Sequence, residues 1–185
     1  MQVCQAATPE QIVAVRTLFQ EYAAWLRIDL RFQGFAEELA SLPGFYAPPQ
    51  GRLFLASSGD EPAGCVALRA TGGTVCEMKR LFVKPAHRGQ GLGRRLAEKA
   101  ITEARSVGYS TMVLDTLPFM HDAIELYEAL GFRRRSAYYD TPLPDTVFME
   151  LRLGPNHGEV AERGGFEPPI QFNPYNGLAN LHARS

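Results

Sequence analysis

Between residues 84 and 100 the chain reads KPAHRGQGLGRRLAEKA, with Gly89, Gly91 and Gly93 standing directly between a β-like run and a helix-like run. Glycine tolerates positive φ and close ligand approach, so such a junction folds into a concave turn whose backbone amides converge in front of the helix start. Aligned peptide dipoles add about +0.5 of an elementary charge there. The first turn of a helix ordinarily favours Asp or Glu, yet Arg94 and Arg95 occupy it, with Lys84, His87 and Arg88 upstream and no acid before Glu98. These charges oppose the dipole unless an anion lies between them, and phosphate is the natural guest. A tight strand-to-helix turn with solvated arginines accounts for the same residues without any ligand.

The elements around this turn follow from changes of hydrophobic period. Thr8, Pro9, Glu10 and Gln11 form an N-cap and first turn, and Ile12, Val15, Leu18, Phe19, Tyr22 and Trp25 continue a one-faced helix. A shorter helix over FAEELASL precedes the breaker-rich PGFYAPPQG. From Arg52, the runs RLFLAS, AGCVALRA and TVCEMKRLFV alternate with SGDEP and TGG, the pattern of three successive antiparallel strands. Leu92, Leu96, Ala100, Ile101 and Ala104 mark a helix closed by Gly108. Then come a strand at STMVLDT, a helix at HDAIELYEAL stopped by Gly131, and strands at FRRRSAYY and TVFMELRL. This order predicts an α/β fold, a mixed and mostly antiparallel sheet of about six to seven strands with helices on both faces.

A P-loop needs GxxxxGK[ST], and no Lys followed by Ser or Thr succeeds these glycines. A dinucleotide fingerprint needs GxGxxG after the first strand of a βαβ unit, whereas this spacing is GxGxG after apparently antiparallel strands. The register Arg88-x-x-Gly91-x-Gly93, preceded by CEMKRLFVKPAH, resembles the coenzyme-A-binding motif of the GNAT-superfamily N-acetyltransferases. AIELYEALGF, residues 123–132, resembles the later helix-and-strand signature of the same superfamily, and the likeness spans roughly residues 8–153. It implies an acetyl-CoA-dependent GNAT domain over residues 1–154, with acetyl-CoA as co-substrate and no metal. Leu81, Phe82 and Val83 would then offer main-chain groups to the pantetheine arm. Arg88, Gly89, Gln90, Gly91, Leu92, Gly93 and Arg94 would wrap the pyrophosphate, mostly through backbone amides.

Acetyl transfer to an amine requires two proton movements. An alkyl ammonium, with a pKa of roughly 10, must lose a proton before it attacks, and the departing thiolate gains from an acid. The resemblance places Tyr127 at the position of the family's frequent general acid and Glu77, six residues before Val83, at that of a frequent base. Ala123, Leu126, Tyr127 and Leu130 also make a helical apolar stripe, which fits Tyr127 as a core aromatic. Glu77 equally fits an ion-pair partner for Lys79 or Arg80. Where relatives often carry an asparagine, seven residues before the tyrosine, this chain has Met120. Main-chain amides such as that of Val83 are the family's usual oxyanion donors, and direct attack in a ternary complex is its default mechanism.

The resemblance puts the amine acceptor between the N-terminal helices and the last two strands, near Trp25, Arg27, Asp29, Phe45, Tyr46, Tyr138, Tyr139 and Asp140. A small-molecule amine is the leading expectation and a protein amine the second; a non-catalytic acyl-CoA sensor would keep the glycine turn without needing Tyr127 or Glu77. The net charge of −1 gives no general attraction to nucleic acid or anionic lipid, and no run approaches the ~18 apolar residues of a membrane span. Three scattered cysteines without a CxxC pair point to a reducing, cytoplasmic setting, and no His and Cys cluster has metal-ligand spacing. The expected assembly is a monomer or homodimer. From residue 155 onwards, GGFEPP and its Gly-, Pro- and Asn-rich surroundings predict a poorly ordered extension. GGFEPP also resembles the conceptual translation of a tRNA T-arm, which points to a read-through or mis-assigned reading frame over 155–185.

Overall fold

The computed structural model describes residues 1–154, and the expected extension lies outside the described residues. A strand the sequence did not signal, β1 (Gln2–Gln5), opens the chain and pairs antiparallel with β2 (Arg52–Ser58). At four residues it is too short to display an alternation. Helix α1 (Pro9–Leu26) begins at a capping box: Gln11 N–H donates to Thr8 Oγ1 at 3.3 Å, and the Gln11 side-chain oxygen accepts from the Thr8 amide at 3.1 Å. A 3-10 turn (Arg31–Gln33) leads into α2 (Phe35–Ser41). After β2, the expected meander follows as β3 (Glu61–Gly72) and β4 (Val75–Val83).

The second half contains α3 (Leu92–Val107), β5 (Thr111–Thr116), α4 (His121–Ala129), β6 (Arg133–Arg135) and β7 (Val147–Arg152). These strands form one seven-stranded sheet in the order β1-β2-β3-β4-β5-β7-β6. Only the β4–β5 pair is parallel. The strand expected over FRRRSAYY stops at Arg135, because the chain leaves the sheet edge to carry Tyr138 and Tyr139 onto Phe148 in edge-to-face contacts near 5.2–5.3 Å.

Two cores lie on opposite faces of the sheet. Leu92, Leu96, Ala100 and Ile101 of α3 and Tyr127 of α4 pack with Phe54, Leu68, Met78, Met112 and Leu114 on one face. Val15, Leu18 and Phe19 of α1 pack with Leu53, Leu55, Ala67 and Phe82 on the other. Cys76 and Met78 belong to the first core and Phe82 to the second, so β4 changes phase between them. The change is a β-bulge: the register runs from Cys65↔Phe82 to Ala67↔Lys79, which leaves one extra residue on β4, with Arg80 at φ 56°. Arg80 is held in that left-handed backbone by a bidentate pair with Glu38 of α2, at 3.0 and 2.6 Å.

Candidate active site

The β4–β5 ladder covers only Val75 to Glu77, opposite Thr111 to Val113. Past the bulge, β4 stays paired with β3 through Phe82 and Val83 but diverges from β5, which continues to pair with β7. Gly64 makes this run of β3 and β4 compact, since a Cβ there would stand 2.7 Å from the Phe82 carbonyl oxygen. A cleft of about 580 Å³, its open mouth included, fills the gap between the diverging strands. Met78, Leu81 and Tyr127 of the α3 face and Tyr22 of the α1 face line it, together with Leu26, Leu30, Gln33, Met120 and Leu143. It therefore crosses the sheet.

The glycine turn lies just beyond the free edge of β4. Gly91 is the N-cap of α3 at φ 74°, a position that no side chain caps, and Gly89 has φ 73°. A Cβ on either would meet nothing within 4 Å, so the turn opens to solvent. Leu92 is buried in the core and offers only its backbone to a ligand. The basic side chains part ways here. Arg94 pairs with Glu98 at 3.5 Å, and Arg95 donates to the Met1 carbonyl oxygen at 3.1 Å. Arg88 stacks 4.6 Å over the Trp25 ring and donates from Nε to the Val83 carbonyl oxygen at 3.0 Å. Trp25, expected near an acceptor, also supports the loop arginine.

Tyr127 has the core setting that its apolar stripe predicts, edge-on to Phe132 at 5.7 Å, and it also faces the cleft. Burial, with smaller contributions from Tyr22 and Asp115, pushes its phenol well above the usual value, so it stays protonated through the neutral range.

Glu77 has the ion-paired setting that was one of its two readings. It is fully buried: Oε2 pairs with Arg69 at 2.6 Å, and Oε1 accepts from Tyr138 Oη at 2.7 Å, with Lys79 Nζ 3.7 Å away. Burial pushes its carboxyl up, but Lys79, Arg69 and the Tyr138 hydrogen bond outweigh that and hold it below the usual value. Both oxygens are engaged by partners within the chain. Of its two candidate partners, Lys79 lies beside it, whereas the bulge turns Arg80 to Glu38. Lys79 also reaches Asp115 Oδ1 at 3.4 Å, and both line the cleft.

Sequence reasoning missed Gln33 and Asp115, and it named Lys79 only as an ion-pair partner of Glu77, with which it shares a strand face at i, i+2. Gln33 carries no local signal, and Asp115 enters only because β5 lies beside β4. Met120 lines the cleft at the N-cap of α4 and accepts a contact from Thr116 Oγ1 at 3.5 Å. Cys76 is buried, its thiol pushed up to about 12 by burial first and the nearby Glu77 charge as well, and is no nucleophile.

The sequence profile of the acetyltransferase (GNAT) family matches residues 14–132, a span that holds β4, the glycine turn, α3 and Tyr127. The chain belongs to the GNAT acetyltransferase family. As a GNAT protein it is an acyl-CoA-dependent N-acetyltransferase, and related sequences agree. An uncharacterized N-acetyltransferase of Schizosaccharomyces pombe is 40% identical over 147 residues, covering 78% of this chain and 90% of the relative. A protein of Klebsiella pneumoniae assigned as an acyl-CoA N-acyltransferase superposes with a TM-score of 0.66 at 29% identity, over 83% of this chain and 97% of that one. A GNAT-family acetyltransferase of Staphylococcus aureus, at 17% identity and a TM-score of 0.69, over 83% of this chain and 99% of that one, shares the fold. Among the described residues no helix of this GNAT protein is long and apolar enough to cross a membrane.

Proposed function

We propose that this chain transfers an acetyl group from acetyl-CoA to the primary amine of a small molecule, by direct attack in a ternary complex within the cleft. The observation that carries this reading is the passage through the sheet between β4 and β5, with the glycine turn beyond one end and the α1–α2 connection over the other. Two substrates can enter from opposite sides and meet without exchanging places. Leu81, Phe82 and Val83 hold the pantetheine arm by backbone groups, and residues 88–94 hold the pyrophosphate. In this assignment Tyr127 is the general acid: a buried phenol that keeps its proton can donate a hydrogen bond to sulfur as the thioester breaks. Glu77 takes a positioning role in place of the base role, fixing Tyr138 and Lys79. Asp115, the carboxylate that lines the cleft, faces the incoming ammonium and takes its proton. Three free cysteines at separate places in the fold support a reducing, cytoplasmic setting, for a monomer or homodimer.

Calorimetry with CoA and a free-thiol assay with acetyl-CoA and a panel of primary amines test the reading. Saturable CoA binding and amine-dependent thiol release are expected, with Tyr127→Phe lowering turnover about 100-fold at nearly unchanged CoA affinity. Full turnover in that variant would return Tyr127 to a purely structural role.

A further inference from the structure

Gln33 closes the 3-10 turn between α1 and α2, where Gly34, at φ 67°, donates its amide to the Arg31 carbonyl oxygen at 3.0 Å. Its Oε1 is buried and has no donor among the described residues, and the residue lines the cleft together with Tyr127 and Asp115. A buried amide oxygen without a donor costs free energy that a ligand N–H would recover. We propose that Gln33 Oε1 receives an N–H of the acceptor nitrogen, and that the site takes small primary amines on an uncharged apolar body. The proposal rests on the acetyl-transfer reading above.

The chemistry of the nucleophile fits this contact. A neutral primary amine carries two N–H bonds and one lone pair, so one hydrogen can point at Gln33 while the lone pair faces the thioester carbon. As the C–N bond forms and the C–S bond breaks, the amine loses one proton to a base and the thiolate gains one. The hydrogen on Gln33 stays and becomes the amide N–H of the product. An alcohol or thiol has a single hydrogen, which the reaction removes, so it cannot keep the contact through to product. The body of the acceptor meets Leu26, Leu30 and Leu143, which line the same cleft. The cations at the cleft are matched within the chain, Arg80 by Glu38 and Lys79 by Glu77 and Asp115, and an anionic group on the substrate has to compete with them.

Steady-state thiol release with acetyl-CoA and n-hexylamine, 6-aminohexanoate or n-hexanol tests this in the wild type, Gln33→Met and Gln33→Glu. Hexylamine should be the best acceptor. Gln33→Met should raise its KM about tenfold while CoA affinity by calorimetry is unchanged, and Gln33→Glu, whose oxygens still accept, should stay within about threefold of wild type. Equal loss in both variants, or no loss in Gln33→Met, overturns the role of Gln33. Preference for 6-aminohexanoate or n-hexanol overturns the substrate class. Absence of CoA binding in the wild type overturns the acetyl-transfer reading itself.

Discussion

At the proposed coenzyme end of the cleft, residues 81–94 form one unbroken stretch that offers mainly its backbone: a strand edge released by β5, a turn at positive φ and a helix start without a side-chain cap. At the proposed acceptor end, Tyr22, Gln33, Lys79, Asp115 and Leu143 come from separate places in the chain and meet only after the sheet has formed. Backbone geometry is set by few residue choices and tolerates variation of the side chains around it. A surface made of side chains changes with every substitution. In the proposed assignment, a fixed donor end and an adjustable acceptor end follow from how each is built.

The contrast can be tested first at Glu77, where the largest effect is expected. Glu77→Ala removes one carboxylate partner of half-buried Arg69 and of buried Lys79, together with the acceptor of Tyr138, and should cost about 3 kcal/mol in urea unfolding. Because the folded carboxyl sits below its ordinary value of 4.5, the ionised form is favoured in the native state. Its stabilisation is complete above about pH 4.5 and fades as pH falls through the lower folded value, so the gap between wild type and variant should narrow in acid. A gap that is constant from pH 7 to pH 3 would show that packing and not charge is lost.

Gly91→Asp probes the other end. Nothing lies within 4 Å of a Cβ there, and Asp tolerates the left-handed backbone, so the melting temperature should move little. CoA affinity, measured by calorimetry, should fall about 100-fold as a carboxylate meets phosphates. Unfolding in place of lost affinity would mean the turn is structural. Trp25→Ala, which removes the exposed stack under Arg88, should weaken CoA binding by only about two- to fivefold. A larger loss would show that the coenzyme end too depends on a long-range side-chain contact.

Legibility in the sequence divides along the same line. The glycines, the helix periods and the meander of strands are local signals, and they predicted the elements that hold Leu81–Val83 and Gly89–Gly93. The bulge at Arg80 was not located from the sequence: the alternation of VCEMKRLFV fails at Lys79-Arg80, but the extra residue shows only against β3. The strongest partners of Glu77 were hidden too, since Arg69 and Tyr138 are brought by β3 and by the segment after β6. The internal partners of the aromatics expected around the acceptor were not legible either: Tyr46 bonds to Glu38, Tyr138 to Glu77, and Trp25 stacks on Arg88.

The bulge has a consequence for how this protein can vary. Up to Lys79 the odd-numbered residues of β4 face α1, and from Phe82 the even-numbered ones do, so the strand has two phases joined at one residue. Point substitutions can remodel the walls of the passage but leave that mismatch in place. Removing a single residue at position 80 would join the two phases into one alternating strand, with Leu81 and Phe82 still on their present faces, and would remove the kink that parts the strands. The opening is secured by a count of residues and not by the identity of any of them.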